Sequence, residues 1–284
     1  MVRTAVSVAC VAALLSGVGT AAWADETPPP DPTQTSPPVE PSPEPPVEPT
    51  PEPTAEPTPE PTYLPKRLVI GRSGKGRPIV AKRQGDPDAK RVLLVLGQMH
   101  GDEPYGRYVV DRLRRLDPRR DTAIWTIRTL NPDGARSRTR RNANRVDLNR
   151  NFPGDWRRGT PGSLYYSGPR PASEPETRAF MEGVRRISPD AVVSYHQRAN
   201  VIDRGRSKKV RKWVRGLSRD LRLPISRVSC VTRCAGTLTG WFNGQSRGWA
   251  VTVELPRRIS VARQKSMARA MVRLVPDLKP VEKR

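Results

Sequence analysis

Histidine is the rarest residue type of this 284-residue chain, with two copies, His100 and His196. Each follows an apolar run typical of a buried strand, at residues 92–96 and 191–195. Histidines that are this few, and that both lie at predicted strand ends, are better interpreted as ligands than as packing residues. With Glu103 they form an H-x-x-E pair plus one distant histidine. This set predicts a catalytic site for one zinc ion, with a fourth position left for water.

Long apolar runs are absent beyond the N-terminus. There, Arg3 precedes a short apolar stretch at residues 5–18, and Ala22-Trp23-Ala24 forms an A-x-A cleavage site. This pattern predicts a secretory signal peptide at residues 1–24 and a secreted protein. The stretch is short for a membrane span, and a retained anchor is the alternative. No membrane span is expected after signal removal.

Cysteine is nearly as rare as histidine, with three copies. Cys10 lies in the signal segment, which leaves Cys230 and Cys234 in the mature chain. An even count in an oxidising compartment favours pairing, and a disulfide can bridge this separation. We therefore expect a Cys230–Cys234 disulfide, with two free thiols as the alternative. No further cysteine or histidine is available for a cysteine-based metal site.

Large apolar residues are too few at residues 28–62 to build a core, since Pro, Glu and Thr are repeated there. Such a segment is typical of an extended, polyproline-like chain, so residues 25–64 are predicted to be a disordered spacer. Residues 65–284 have the length of one domain and can bury a sizeable core. They are the predicted catalytic domain.

Acidic residues are scarce after the spacer. From Tyr63 onward, 50 basic residues face 19 acidic ones, a net charge of +31. Such a surface attracts polyanions, and outside a cell these include anionic wall polymers, acidic lipid headgroups and acidic peptides. A basic surface without a specific partner is the alternative. No specific nucleic-acid partner is expected, because no recognition motif with interleaved aromatic residues is present.

Strand and helix patterns alternate along the domain, which indicates an α/β fold with helices on the faces of a sheet. The predicted strands lie at residues 68–71, 78–81, 92–96, 123–127, 191–195 and 250–255, and the predicted helices at residues 103–116, 174–187, 208–221 and 261–274. Ser173 and Glu176 form a predicted capping box before the second helix. Sites in such sheets gather at the carboxyl ends of strands, where His100, Asn131, His196 and Glu254 are predicted to lie.

Glu254 ends an apolar strand, where a carboxylate is costly to bury unless it has a role. A zinc hydrolase needs a general base beside the metal-bound water, and glutamate suits that role. A salt-bridged structural acid is the alternative.

Residues 135–172 lack periodicity, and a long irregular stretch inside a domain is usually functional. Residues 140–153 concentrate Arg and Asn. Arg binds carboxylates in a bidentate fork, and Asn adds neutral hydrogen bonds. Beside a zinc site this segment is interpreted as a clamp for a substrate carboxylate and a developing oxyanion. A basic loop that binds phosphate is the alternative.

In sequence order, these motifs resemble those of the zinc carboxypeptidases. The resemblance spans about residues 66–275 and rests on His100-Gly101-Asp102-Glu103, Asn131-Pro132-Asp133-Gly134, Asn142-Ala143-Asn144, Val146-Asp147-Leu148-Asn149-Arg150-Asn151-Phe152-Pro153, Tyr166-Ser167-Gly168-Pro169, Ser173-Glu174-Pro175-Glu176-Thr177, His196 and Val253-Glu254-Leu255-Pro256. The fold it implies is a mixed, mainly parallel sheet of about eight strands with helices on both faces.

The resemblance implies a role for each matching residue. His100, Glu103 and His196 hold zinc, Glu254 activates the zinc-bound water, and Asp147 hydrogen-bonds a ligand histidine.

On the substrate side, Arg140 polarises the scissile carbonyl and stabilises the oxyanion. Arg140 is chosen over Arg141 because it keeps the family's Arg-x-Asn spacing. Asn149 and Arg150 bind the free carboxylate of the substrate.

Some positions depart from the pancreatic enzymes of the family. Asp102 stands where they carry Arg, Arg145 replaces a small residue, and no tyrosine is matched to the one that closes over the substrate. The domain is also shorter. These traits resemble the compact bacterial branch, which includes murein-peptide amidases.

The leading hypothesis is a secreted, wall-associated zinc peptidase that cuts near a free carboxylate, with peptidoglycan stem peptides as candidate substrates. A zinc amidohydrolase of small N-acyl amino acids, similar to aspartoacylase and desuccinylase, is the alternative. The third hypothesis is an inactive module that binds anionic wall polymers.

Overall fold

The computed structural model describes residues 63–203, 211–228 and 234–280. The predicted signal peptide at 1–24 and nearly all of the predicted spacer at 25–64 lie outside the described residues. Cys230 also lies outside them, so its pairing with Cys234 stays a prediction. None of the described helices is long and apolar enough to cross a membrane.

The described residues form an eight-stranded mixed sheet in the order β1-β2-β4-β3-β5-β8-β6-β7. The strands are β1 (Arg67–Arg72), β2 (Pro78–Gly85), β3 (Arg91–Leu96), β4 (Thr122–Ile127), β5 (Ala191–Gln197), β6 (Val201–Asp203), β7 (Ile225–Ser226) and β8 (Trp249–Leu255). The four central strands β4, β3, β5 and β8 are parallel to one another, and β6 and β7 form a further parallel pair. The remaining three pairings are antiparallel. The predicted mixed, mainly parallel sheet is confirmed.

Helices cover both faces of this sheet, as predicted. They are α1 (Tyr105–Leu113), α2 (Pro132–Ser137), α3 (Pro175–Ile187), α4 (Arg211–Leu221), α5 (Leu238–Gln245) and α6 (Val261–Leu274). One apolar core contains residues of α1, α4 and α6, and the other contains residues of α3 and α5. Strand β3 serves both cores, because side chains alternate along a strand: Leu93 and Val95 lie in the first core, Leu94 and Leu96 in the second.

Two of the predicted helices, α1 and α3, start later than predicted, at Tyr105 rather than 103 and at Pro175 rather than 174. Helix α1 starts at Tyr105 because Pro104 is its N-cap residue. The predicted capping box before α3 is wrong: Glu174 is the N-cap residue and makes no side-chain cap bond. The Ser173 hydroxyl instead donates to the Glu174 carboxylate at 2.7 Å.

Two helices were not predicted. The Asn131-Pro132-Asp133-Gly134 motif opens α2, and Asn131 caps it by accepting a hydrogen bond from the Gly134 amide at 2.8 Å. The short helix α5 was missed as well. It begins after Thr237, whose side chain accepts a bond from the Gly240 amide.

The irregular segment between α2 and α3 is held by buried polar contacts. The Asn142 side-chain amide donates to Glu174 at 2.7 Å and to Glu176 at 3.0 Å. Glu176 also accepts from the amide of Gly74 at 2.9 Å. These bonds fix the segment that carries Arg140, because a buried carboxylate is costly unless its oxygens are bonded.

Candidate active site

The three predicted zinc ligands converge at the carboxyl edge of the sheet. His100 and Glu103 lie in the loop after β3, and His196 lies near the end of β5. Their ligand atoms all lie within 4.8 Å of one another, and all three residues are buried. Two imidazole nitrogens and one carboxylate oxygen are the donor set of a catalytic zinc site. The residues present therefore fit the predicted ion.

The same ring nitrogen of both histidines faces the centre of this set. His196 Nδ1 lies 3.3 Å from His100 Nδ1 and 3.2 Å from Glu103 Oε2. His100 Nδ1 lies 2.9 Å from Glu103 Oε1. The Nε2 atom of each histidine points away from this centre and has a partner of its own. His100 Nε2 lies 2.9 Å from Asp147 Oδ1, and His196 Nε2 lies 3.2 Å from Ser194 Oγ. An outer acceptor keeps the proton on Nε2 and leaves the Nδ1 lone pair for a metal.

The charges of the site reinforce one another in the metal-free protein. Burial alone lowers the pKa of His100, but Glu103 and Asp147 outweigh it and raise that pKa to about 9. Burial alone raises the pKa of Asp147, yet His100 and Arg140 hold it well below its usual range. The pKa of Glu103 is likewise lowered by His100 and His196 against the effect of burial. Both carboxylates are therefore ionised at neutral pH.

The guanidinium of Arg140 joins this charge network. Its Nε and Nη2 donate to Asp147 Oδ2 at 3.0 and 2.9 Å, and its Nη1 donates to Glu103 Oε1 at 3.2 Å. Arg141 instead donates to the Gly162 and Ser163 carbonyls. The structure thus brings Arg140, the residue chosen by spacing, to the zinc-ligand set.

Glu254 lies beside His196, since the two residues are register partners across the parallel strands β5 and β8. It is half-buried, and its Oε2 accepts a long hydrogen bond of 3.5 Å from the Ala199 amide. Within the part of the chain that the structure describes, Glu254 has no ion pair, which counts against a purely salt-bridged structural acid.

Asn149 and Arg150 form a 3-10 turn directly after Asp147. Asn149 Oδ1 accepts from the Leu238 amide at 3.0 Å, and Arg150 Nη1 donates to the Asn149 carbonyl at 2.7 Å. Arg150 is buried, and its Nε has no partner among the described residues. A buried guanidinium with spare donors can bind a carboxylate.

Tyr165 is a neighbour of this cluster that the sequence did not identify. Its ring centre lies 5.2 Å from the guanidinium carbon of Arg140 and 5.6 Å from that of Arg150. One aromatic ring therefore contacts both predicted substrate-binding cations. It lies in the irregular segment, where no local pattern indicates such a contact.

Two residues of β5 also support the ligands. Ser194, described above, lies two positions before His196, and strand periodicity could have placed it on the same face. The Gln197 amide donates to Glu103 Oε2 at 3.2 Å. These contacts orient the ligand side chains.

The fold and the ligand set define a zinc-dependent hydrolase. Residues 63–204 match the family model described as zinc carboxypeptidase (Peptidase_M14), and the chain belongs to this family. The predicted class, a zinc-dependent peptide hydrolase, is thereby confirmed.

Known members of the family show how far the likeness extends. Murein peptide amidase A of Escherichia coli K12 is 35% identical over 171 residues, which cover 55% of this chain and 67% of that protein. Carboxypeptidase SOL1 of Arabidopsis thaliana is 32% identical over 143 residues, or 45% of this chain and 28% of that protein. The crystal structure of murein-tripeptide amidase MpaA from Escherichia coli O157 superposes with a TM-score of 0.62 at 28% identity, covering 78% of this chain and 95% of that one.

Proposed function

We propose that this protein is a secreted zinc peptidase that hydrolyses a peptide bond near a free carboxylate in peptidoglycan stem peptides. The observation that carries the proposal is the convergence of His100 Nδ1, His196 Nδ1 and the Glu103 carboxylate, with Glu254 one strand away. The proposal includes the roles of these residues and the division into signal peptide, spacer and catalytic domain.

Glu254 is the proposed general base. Zinc supplies a Lewis acid that polarises a carbonyl and makes water more acidic. The Glu254 carboxylate takes the proton of the attacking water and delivers it to the leaving amine. Its freedom from ion pairing among the described residues supports this role, because a carboxylate engaged with a cation is a weaker base.

Arg140 is the proposed oxyanion partner. A guanidinium has five N–H donors, and Arg140 uses three of them on Asp147 and Glu103. The other two donors have no partner among the described residues, and we propose that they bind a substrate oxygen that gains negative charge. The two carboxylates hold the guanidinium in place, so it need not reorganise during the reaction.

Arg150 and Asn149 are the proposed carboxylate site. Among the described residues, the buried Arg150 side chain donates one hydrogen bond, to the Asn149 backbone carbonyl, and its Nε has no partner. An anionic substrate group would satisfy these donors and offset the cost of burying the cation. This arrangement favours substrates that carry a carboxylate near the cut.

The proposed substrate class rests on the likeness to murein peptide amidase A and MpaA. The strongly basic domain and the signal-like N-terminus are consistent with a location at an anionic cell wall. We propose this location together with the substrate.

Incubation of the full mature chain with muropeptides, with ordinary C-terminal peptides and with N-acyl amino acids tests the proposal. Each reaction is run as prepared, after removal of zinc by a chelator, and after zinc is restored. Cleavage of muropeptides that is lost with the chelator and recovered with zinc is expected.

The products separate the competing hypotheses. Cleavage of ordinary peptides alone would retain the peptidase but reject the wall substrate. Cleavage of N-acyl amino acids alone would favour the amidohydrolase. Protein that contains one zinc and cleaves nothing would favour the inactive wall-binding module.

A further inference from the structure

A cavity of about 300 Å³ lies beside the β1–β2 hairpin and shares no residue with the zinc site. Its lining includes four cationic side chains and two apolar ones: Arg67, Lys82, Arg114, Arg128, Pro78 and Val80. The cavity therefore combines positive charge with a small apolar surface.

Helix α3 covers one face of the β1–β2 hairpin. Helix α3 packs against β1, and Ile79 and Ala81 of β2 are buried in the core on that side. Side chains alternate along a strand, so the opposite face of β2 carries Pro78, Val80 and Lys82. On that face they are exposed or half-buried. The cavity lies on this face, and Arg114, which follows the end of α1, also lines it.

The cations of the cavity are brought together by the fold. Arg67 and Lys82 are direct register partners in the antiparallel β1–β2 pair, and both are exposed. Like charges directly opposite each other destabilise a sheet. This placement is therefore unfavourable unless an anion lies between or above them.

Arg114 adds a third cation from the end of α1. Its Nε and Nη2 donate to the Thr126 hydroxyl and carbonyl at 2.9 and 3.1 Å, which fixes the guanidinium against the sheet. Burial lowers the pKa of Arg114; Asp111 opposes this shift and Arg128 adds to it. The Arg114 guanidinium thus lies near a second cation, and it shares the nearby Asp111 carboxylate with that cation.

The negative charge available is insufficient for these cations. Asp111 pairs with Arg128, with contacts of 2.8, 3.1 and 2.9 Å. Across the described ranges, it is the one carboxylate that forms an ion pair with any of the four cations. Arg67 and Lys82 therefore form no ion pair within the described residues, and Arg114 feels the charge of Asp111 without a direct ion pair to it.

We propose that this cavity binds phosphate groups of an anionic phosphodiester polymer. Guanidinium and ammonium groups are the side chains that bind phosphate oxygens, and Pro78 and Val80 offer an apolar surface to the carbon chain between phosphates. The cationic side chains come from two separate elements, the hairpin and the end of α1. A ligand that repeats its negative charge along a chain can contact both groups. The net charge of +23 attracts such a polymer at long range.

Binding of labelled poly(glycerol phosphate) to the full mature chain at fixed salt tests the proposal. The test variant is Arg67→Gln/Lys82→Gln, which removes two exposed charges from the cavity. The matched control is Lys265→Gln/Arg269→Gln, which removes two exposed charges from α6. Poly-L-glutamate and phosphatidylglycerol vesicles are measured in parallel.

The cavity variant is expected to bind poly(glycerol phosphate) at least about tenfold more weakly, because charge-assisted bonds to phosphate are lost. The control is expected to stay within about twofold of the wild type. Zinc-dependent hydrolysis of a small soluble peptide should be unchanged in the cavity variant, so this test is independent of the proposed catalytic function.

Three results would overturn the proposal. The first is equal loss of polymer binding in the two double variants, which would show diffuse attraction by the whole surface. The second is binding through Arg67 and Lys82 to vesicles or poly-L-glutamate but not to the phosphodiester polymer. The third is no polymer binding by the wild-type chain.

Discussion

The His100 ring is held by Asp147, whose Oδ1 lies 2.9 Å from His100 Nε2. The second oxygen of the same carboxylate accepts two bonds from Arg140. One buried carboxylate therefore orients a zinc ligand and the proposed oxyanion partner together. The proposed zinc site and the proposed oxyanion partner are thus coupled through Asp147.

Replacement of Asp147 by Asn should weaken zinc binding by about 10- to 100-fold, because the outer partner that orients His100 loses its charge. Competition with a chromophoric chelator measures the zinc affinity. Asp117→Asn, at an exposed position, is the control and should leave the affinity unchanged. Wild-type zinc affinity in Asp147→Asn would show that this contact does not support the ligand.

Tyr165 is expected to support catalysis through its ring rather than through its hydroxyl. Cation–π contacts contribute about 0.5–2 kcal/mol each, and this ring contacts both Arg140 and Arg150. Tyr165→Leu is therefore expected to lower kcat/KM for a carboxylate-bearing peptide by about tenfold. Tyr165→Phe should stay within about twofold of the wild type, with zinc content unchanged in both. Equal losses in the two variants would instead assign the effect to the hydroxyl.

Zinc binding should release a proton at neutral pH. The carboxylates Glu103 and Asp147 raise the pKa of His100 to about 9 in the metal-free protein, so the ring is protonated below that pH and must lose its proton to bind a metal. Affinity should therefore rise with pH up to about 9. Calorimetry at pH 7.5 in buffers of different ionisation enthalpy should show about one proton released by His100 per zinc. A release close to zero would show that the His100 ring is not protonated in the metal-free protein.

The close approach of two backbones behind the ligand loop should not tolerate a methyl group. A Cβ at Gly101 would collide with the backbone of Gly134 and with the Thr139 carbonyl. Gly101→Ala is expected to destabilise the fold by about 1–3 kcal/mol, as overpacking does, and thus to lower Tm by several degrees. Gly244→Ala is the control, since a Cβ there meets nothing within 4 Å. Unchanged Tm in Gly101→Ala would show that the two loops can separate.

Much of the fold could be predicted because β3, β5 and β8 are continuous apolar runs in the sequence. Their ends also placed His100, His196 and Glu254 at one edge. The helix α2 was missed because it is only six residues long and opens with Asn-Pro-Asp-Gly, a pattern that equally suits a turn.

Contacts made through tertiary structure could not be predicted from local patterns. The aromatic contact of Tyr165 with Arg140 and Arg150 joins positions that are separated in an aperiodic segment. The cavity beside the β1–β2 hairpin depends on the strand register that sets Arg67 opposite Lys82. Neither feature has a periodic signature along the chain.

The central claim, that Glu254 acts as the base of a zinc site built by His100, Glu103 and His196, is tested most directly by Glu254→Gln. The variant should bind one zinc with wild-type affinity, because Glu254 is not a proposed ligand. Its muropeptide cleavage should fall by about 10²- to 10⁴-fold, because the amide cannot take a proton. The control Glu182→Gln, on the surface of α3, should behave as the wild type. Near-normal cleavage by zinc-loaded Glu254→Gln, or loss of its zinc, would contradict the account.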